Sequence, residues 1–262
     1  LNVIQSSDLL HTQFDTFDIA NNESVHFQQL STQSIAINQV LNSDPTNIAG
    51  QLSANGQLFI VAPGGLVIHD GASIEAASFF ASTLNADNIA DNEILFSQSN
   101  ASHGIINNGN ISIQGGGSLQ LLSNKIINNG MIGNANGDTQ LSVANRALVK
   151  FSGDLFAIEL DESVLNGVIK NNGIITASGG DIHLNAMVKE QIHEQVIHNQ
   201  GDIIATSVWQ EGGDIFIGSN EGDVENHGLI ESVASADQNQ LTHIQINSDR
   251  IANFGTIKNN AL

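Results

Sequence analysis

One heptapeptide pattern occurs six times in the second half of the chain, and it constrains the fold more than any other feature. It has the form Ile/Val-x-Asn-x-Gly-x-Ile, and its glycines follow one another at steps of 21, 43, 28, 27 and 27 residues. The asparagine and glycine pairs are Asn107/Gly109, Asn128/Gly130, Asn171/Gly173, Asn199/Gly201, Asn226/Gly228 and Asn253/Gly255. A repeat of this length is typical of stacked, solenoid architectures.

Short alternating strands lie between these copies. Gly-Gly pairs beginning at Gly116, Gly179 and Gly212 are each followed by residues that alternate between apolar and polar. Each period therefore holds about three short strands separated by Gly/Asn corners, with no helix long enough for a βαβ crossover. Because a short strand buries its inward face only when coils stack, the pattern predicts an all-β fold, a parallel β-helix.

The corners themselves have a predicted structure. Asparagines at the same place in every coil can hydrogen-bond to those above and below, which predicts a ladder of the six asparagines along the axis. The accompanying glycines are expected to supply positive φ and to let neighbouring backbones approach closely. Asn-Gly also marks hairpin turns, but a hairpin protein has no reason to keep a 27-residue spacing.

We expect one domain over residues 1–262. Residues 1–50 lack the repeat and are expected to form a non-repetitive cap, while residues 51–262 form the coils. Residues 186–196 are rich in good helix formers and are expected to make a short helical excursion. No polar, non-repetitive segment follows the sixth repeat, so the chain is expected to be the N-terminal fragment of a longer protein.

Composition excludes several functions. The chain has 27 acidic and 7 basic residues and a formal net charge of −20, so it would repel nucleic acid. It has no cysteine, which excludes disulfides, thiolate nucleophiles and Cys-ligated zinc.

An ordered series of motifs carries a family resemblance. The stretch 44–60, Asp-Pro-Thr-Asn-Ile-Ala-Gly-Gln-Leu-Ser-Ala-Asn-Gly-Gln-Leu-Phe-Ile, continues through Ala-Pro-Gly-Gly at 62–65 to Ala-Ser-Thr-Leu at 81–84. With Phe-Ser-Gly-Asp at 151–154, Asp-Glu-Ser at 161–163 and Asn-Asn-Gly-Ile-Ile at 171–175, it resembles the secretion domain of two-partner-secretion (TPS) exoproteins of the filamentous-haemagglutinin type. The resemblance covers roughly residues 10–230.

The resemblance implies a fold, a route and a partner. The fold would be a right-handed parallel β-helix with an N-terminal cap, exported by the Sec route and then through a cognate outer-membrane β-barrel transporter to the cell surface. The POTRA-type periplasmic domains of that transporter would recognise this region, and regions downstream would meet a host-cell or bacterial surface receptor, as in adhesins. The implied recognition motifs contain Asp44, Pro45, Asn55, Gly56, Pro63, Gly64 and Gly65. The sequence departs from the family at Ala62-Pro63-Gly64-Gly65, where Asn-Pro-Asn-Gly is usual, although proline and glycine retain the turn.

Two kinds of chemistry compete with this prediction. The string His193-Glu-Gln-Val-Ile-His198 has its histidines five residues apart, whereas the helical zinc motif needs four. His183, His227 and His243 occupy polar positions and are expected to face solvent. Parallel β-helices also include polysaccharide lyases and glycosidases, so a carbohydrate-active enzyme is the alternative. One tryptophan and no tyrosine supply sugar stacking poorly, and we predict no catalytic residues, no metal and no cofactor.

Overall fold

The computed structural model describes residues 1–90, 92–98, 103–152, 155–189, 195–208, 212–235 and 241–260. Within these ranges the regular elements are all strands, so no helix is present that could cross a lipid bilayer. The first sixteen strands are β1 (Asn2–Ile4), β2 (Leu9–Phe14), β3 (Ser24–Gln28), β4 (Ile35–Val40), β5 (Thr46–Ile48), β6 (Gln51–Ala54), β7 (Gln57–Val61), β8 (Leu66–Ile68), β9 (Ser73–Ala76), β10 (Ser78–Ser82), β11 (Asn85–Ile89), β12 (Glu93–Ser97), β13 (Ile105–Asn107), β14 (Asn110–Ile113), β15 (Leu119–Ser123) and β16 (Lys125–Asn128).

The remaining strands continue the same order. They are β17 (Met131–Ala135), β18 (Thr139–Val143), β19 (Arg146–Ser152), β20 (Leu155–Glu162), β21 (Val164–Leu165), β22 (Val168–Asn171), β23 (Ile174–Ser178), β24 (Ile182–Ala186), β25 (Val188–Lys189), β26 (Gln195–Asn199), β27 (Asp202–Thr206), β28 (Ile215–Ser219), β29 (Asp223–Asn226), β30 (Leu229–Val233), β31 (Ile244–Asn247), β32 (Arg250–Asn253) and β33 (Thr256–Asn260).

Three long sheets are built from strands of successive coils. Among the described residues, sheet 1 has ten strands (β1-β3-β6-β9-β14-β17-β23-β27-β30-β33), sheet 2 has nine (β2-β4-β7-β10-β15-β18-β24-β28-β31) and sheet 3 has eight (β5-β8-β13-β16-β22-β26-β29-β32). Neighbouring strands pair in parallel in all three, for example β6 with β9, β7 with β10 and β13 with β16. Each complete coil contributes one strand to each sheet, which confirms the predicted parallel β-helix.

The inward faces of the three sheets form one apolar core. In sheet 2 the residues Leu58, Phe79 and Leu119 lie one above another and are fully buried. Isoleucines at inward positions of sheets 1 and 3, such as Ile132 and Ile169, close the core from the other sides. Burial of this shared face supplies the main favourable free energy, since no single coil has an interior of its own.

A second apolar cluster lies on the outer face of sheet 2. There the antiparallel sheet β11-β12-β19-β20 covers Phe59 and Phe80, and the rings of Phe80 and Phe96 lie 5.4 Å apart. Strands β7, β10 and β15 are therefore buried on both faces. This is why 58–61 reads as a continuous apolar run rather than an alternating one.

The N-terminal segment differs from the predicted cap. Strands β1 to β5 already belong to the three parallel sheets, and Asn2 is the register partner of His26 in the next coil. Residues 1–50 thus form coils although they lack the Asn-x-Gly signature. The physical reason is that inward apolar residues such as Phe27 and Val40 are enough to stack a coil.

The predicted helical excursion over 186–196 is wrong at both described ends, and residues 190–194 lie outside the described residues. Val188 and Lys189 form β25, which pairs in parallel with β21, and β26 begins at Gln195. Ala186 and Val188 are buried in the core. Tertiary packing here overrides the helix propensity of the sequence.

Candidate functional site at the coil corners

The six repeat asparagines lie in one column at the corner between sheets 3 and 1. The Nδ2 of each donates a hydrogen bond to the Oδ1 of the next, one coil further along the axis. The distances are 2.8 Å for Asn107 to Asn128, 2.8 Å for Asn128 to Asn171, 2.8 Å for Asn171 to Asn199, 2.7 Å for Asn199 to Asn226 and 2.7 Å for Asn226 to Asn253. The first five are buried, so the ladder satisfies amide groups that water does not reach.

The six repeat glycines form a second column at the same corner, and the predicted close approach of their backbones is confirmed. A Cβ added to any of them would lie against a carbonyl oxygen of the preceding coil. The distances are 2.6 Å from Gly109 to Ala72, 2.0 Å from Gly130 to Gly109, 2.0 Å from Gly173 to Gly130, 1.9 Å from Gly201 to Gly173, 2.0 Å from Gly228 to Gly201 and 2.2 Å from Gly255 to Gly228. Each of these glycines is therefore required because no side chain fits between the coils.

The predicted positive φ of this column is wrong. The described glycines with positive φ include none of the six, which are Gly109, Gly130, Gly173, Gly201, Gly228 and Gly255. The left-handed glycines occur instead at the Gly-Gly corners, for example at Gly179 and Gly212. The Asn-x-Gly corner turns without a left-handed residue at glycine, so the spacing between coils alone selects glycine there.

A carboxylate column lies at the corner between sheets 1 and 2, with each aspartate directly after a glycine, and sequence reasoning missed it. Oδ1 of Asp138 accepts the backbone N–H of Asp181 at 2.9 Å, and Oδ1 of Asp181 accepts that of Asp214 at 3.0 Å. Burial raises the pKa of Asp181, the hydrogen bond from Asp214 lowers it, and the neighbouring carboxylates raise it again. The recurrence of aspartate directly after the glycines was the signal in the sequence.

The two proline motifs are in contact. Ala62 to Gly65 form a turn in which the Gly65 N–H donates to the Ala62 oxygen at 2.9 Å, and the Gly65 oxygen accepts the Thr46 N–H at 2.9 Å. A Cβ on Gly64 would lie 2.4 Å from the carbonyl oxygen of Asp44. The structure thus brings Asp44 and Pro45 onto the 63–65 turn, one coil apart.

Asn55 and Gly56 lie at a different corner, between sheets 1 and 2. The Asn55 side chain accepts the Gln29 N–H at 2.6 Å and donates to the Gln29 oxygen at 3.0 Å. The Gly56 N–H donates to Oε1 of Gln29 at 3.0 Å. This pair therefore fastens its coil to the previous one, and it is separated from the 63–65 turn by the whole of β7.

The histidines are distributed over the outer surface. His227 and His243 are exposed, as expected, while His183 is half-buried and stacks on Phe216 with ring centroids 4.8 Å apart. His193 lies outside the described residues. His198 is half-buried on the outer face of sheet 3, and burial lowers its pKa.

An open groove of about 460 Å³ lies beside Asn55. His26, Ser53 and Glu75 are among the residues that line it, and His26 Nδ1 is 2.9 Å from Ser53 Oγ. Glu75 is the single carboxylate among the described residues that line it. A pair of carboxylates, as glycoside hydrolysis uses, is not assembled by these lining residues.

Comparison with known proteins identifies the family. A family model described as the TPS secretion domain matches residues 1–260. The chain belongs to the TPS secretion domain family. This secretion domain is non-enzymatic in the family, and its proteins are exported through a cognate outer-membrane transporter to the cell surface. The prediction of a secretion domain is confirmed, and nothing in the comparisons favours the carbohydrate-active enzyme.

Two curated relatives are heme/hemopexin-binding proteins of Haemophilus influenzae. This chain is 28% identical over 231 residues to the protein of strain ATCC 51907 / DSM 11121 / KW20 / Rd, and the alignment covers 84% of this chain and 25% of that protein. It is 26% identical over 263 residues to the second relative, and that alignment covers 88% of this chain and 27% of the relative. The chain therefore spans about a quarter of the length of these relatives.

A solved structure shares the fold. The crystal structure of the HMW1 secretion domain from Haemophilus influenzae aligns with a TM-score of 0.64 at 22% identity, covering 97% of this chain and 78% of that one.

Proposed function

We propose that the cognate transporter recognises segment 44–84 through its POTRA-type periplasmic domains before this segment folds, and that the segment then nucleates the β-helix during export. The transporter partner follows from the family. The segment, its unfolded state and its role as a nucleus are the proposal.

The observation that carries the proposal is the enclosure of β7. All five residues from Gln57 to Val61 are buried, and the strand pairs with β4 on one side and β10 on the other. An extended segment that adds to the sheet of a receptor needs a free hydrogen-bonding edge. Strand β7 offers such an edge only before its coil is stacked.

The motifs that flank β7 support the same order of events. Asn55 and Gly56 directly precede the strand and are bonded to Gln29 in the fold, while the 63–65 turn follows it and packs against Asp44. Their polar groups are thus used by neighbouring coils once folding is complete. A receptor that reads these motifs does so in the unstacked chain.

The packing around β7 supports the role as a nucleus. Strands β7 and β10 contribute to the inner core through Leu58 and Phe79 and to the outer cluster through Phe59 and Phe80. The rings of Phe59 and Phe80 lie 5.1 Å apart. Apolar burial on both faces adds to the driving force for folding in this part of the β-helix.

A disulfide lock tests the proposal. Gln51 and Ser73 are register partners on the outer face of sheet 1, so cysteines at both positions close a loop that contains β7. In a strain that carries the cognate transporter, we expect the oxidised double variant to stay in the periplasm and to fail to co-purify with the periplasmic domains. Reduction should restore both export and co-purification.

A second lock separates recognition from obstruction of the pore. Asp202 and Leu229 are also register partners, and cysteines there close a loop of similar length far from the motifs. This variant should be blocked in export yet still co-purify with the periplasmic domains. Equal co-purification of both locked variants would show that the folded segment is recognised, and the proposal would be wrong.

A further inference from the structure

We propose that one divalent transition-metal ion of the Zn²⁺ type binds to His198, Glu225 and His227. These three residues lie next to one another on the outer surface. The site differs from the sequence string 193–198, with which it shares only His198. It departs from the prediction of no metal that the sequence led to, and it is independent of the proposed function.

The topology assembles the three side chains. Strands β26 and β29 are parallel neighbours in sheet 3, with His198 and Glu225 as register partners. His227 lies two residues after Glu225, at the corner that follows β29, and its ring centroid is 5.4 Å from that of His198. One possible ligand atom of each residue lies within 4.8 Å of the others.

The chemistry of the three atoms fits the ion. Two imidazoles and one carboxylate form a ligand set that zinc uses in proteins, with water at the fourth position. In a tetrahedral site with bonds of about 2.0–2.1 Å, the ligand atoms lie roughly 3.4 Å apart. The three atoms lie within 4.8 Å of one another in the structure, so they would move closer together when the ion binds.

An unused atom points to a ligand. Nε2 of His198 is buried and has no hydrogen-bond partner within the part of the chain that the structure describes. A buried polar atom without a partner costs free energy. A metal ion bound between His198 and His227, whose ring centroids are 5.4 Å apart, would satisfy this atom.

Some neighbours of the site favour cation binding and one opposes it. Phe254 stacks on the His227 ring at a centroid distance of 4.8 Å and restrains its orientation, and Glu225 already contacts Nε2 of His227. Lys170, the register partner of His198 on the preceding coil, places a positive charge nearby and weakens cation binding. The Glu225 carboxylate opposes that charge, and the acidic chain attracts cations.

Calorimetric titration of Zn²⁺ into the chelator-treated, untagged domain tests the site. We expect one ion per chain and a Zn²⁺-dependent rise in the thermal midpoint. His227→Ala and Glu225→Gln should each weaken binding at least about tenfold while leaving the circular dichroism spectrum unchanged. His243→Ala, which removes an exposed histidine beside Asp214, should bind like the wild type.

Binding of Co²⁺ in place of Zn²⁺ reports directly on ligation, because its visible absorption depends on the atoms bound to the ion. The wild type should show the intense visible absorption of four-coordinate cobalt with nitrogen ligands, and His227→Ala should lose it. Absence of Zn²⁺ binding by the wild type, or wild-type affinity in His227→Ala, would overturn the assignment. Equal weakening by His243→Ala would show diffuse binding to the acidic surface and would overturn it as well.

Discussion

Nδ2 of Asn171 donates to Oδ1 of Asn199 over 2.8 Å, although the two residues are 28 positions apart in the chain. The same amide also donates to the carbonyl oxygens of Gly173 and Asp202 at 3.3 and 3.2 Å. One side chain thus joins its own corner to the next coil, so a single substitution in this column affects two coils at once.

Removing one amide from the column should destabilise the fold. In Asn199→Leu the Nδ2 of Asn171 loses its side-chain acceptor and the Oδ1 of Asn226 loses its side-chain donor, at a cost of about 1–3 kcal/mol. Asn172→Leu is the matched control, because Asn172 belongs to an exposed column bonded to Asn129 and should change stability by less than about 0.5 kcal/mol. Urea unfolding midpoints measure the stability of both variants. An equal loss of stability in the two would show that the buried ladder contributes no more than the exposed column.

A methyl group in the glycine column should be poorly tolerated. In Gly173→Ala the new Cβ meets the Gly130 carbonyl oxygen at 2.0 Å, and backbone on both coils has to shift at a cost of about 1–3 kcal/mol. Gly133→Ala is the control, because its Cβ finds its nearest atom, Oγ1 of Thr176, at 3.5 Å. That variant should keep the thermal midpoint of the wild type or raise it, and a Gly173→Ala midpoint that matches it would contradict the close approach.

The outer aromatic cluster should contribute as much as an interior one. Phe80 is fully buried between Phe59 and Phe96, so Phe80→Ala should cost about 3–5 kcal/mol. Hydrogen exchange should then speed up first in β12 and β19, which cover this cluster. Phe254→Ala, at an exposed ring, should leave the unfolding midpoint nearly unchanged; uniform exchange throughout Phe80→Ala would argue against a separate outer cluster.

The carboxylate column should make stability depend on pH. Burial raises the folded-state pKa of Asp181, so its charge costs stability above that pKa and the cost disappears as the pH falls towards the unfolded value. Asp181→Asn keeps an acceptor for the Asp214 N–H and, because water screens these partly exposed carboxylates, should stabilise the domain at pH 7 by only about 0.2–1 kcal/mol. The gain should shrink on acidification, as urea midpoints at descending pH will show, whereas Asp70→Asn at an exposed site should give no gain at pH 7.

Export should respond to the motifs more than folding does. Replacing Asn55 and Gly56, or Pro63 and Gly65, removes features next to β7, and we expect export to be abolished while the purified variants still refold. The Asn55 substitution removes two hydrogen bonds to Gln29 and should cost about 1–3 kcal/mol. Normal export of variants with altered motifs would move the recognition site to the coils before residue 44.

The repeat in the sequence located the corner between sheets 3 and 1, because every coil has to turn there with the same backbone spacing. It did not reveal the coils before residue 51, whose apolar positions stack without Asn-x-Gly. Nor did it reveal the antiparallel sheet, since β12 and β19 come from separate insertions more than 45 residues apart. The cluster of His198 with Glu225 was equally hidden, because only the coil length brings those side chains into register.

The distance across the asparagine column does not depend on how much chain lies between its members. Asn107 to Asn128 spans 21 residues and Asn128 to Asn171 spans 43, yet both bonds measure 2.8 Å. The additional residues leave as the hairpin of β19 and β20 and return without altering the pitch. The β-helix therefore accepts insertions at one corner while the asparagine column at another corner keeps the spacing between coils constant. This domain can diversify its outer surface, or carry a grafted peptide there, without a change in the direction of its axis.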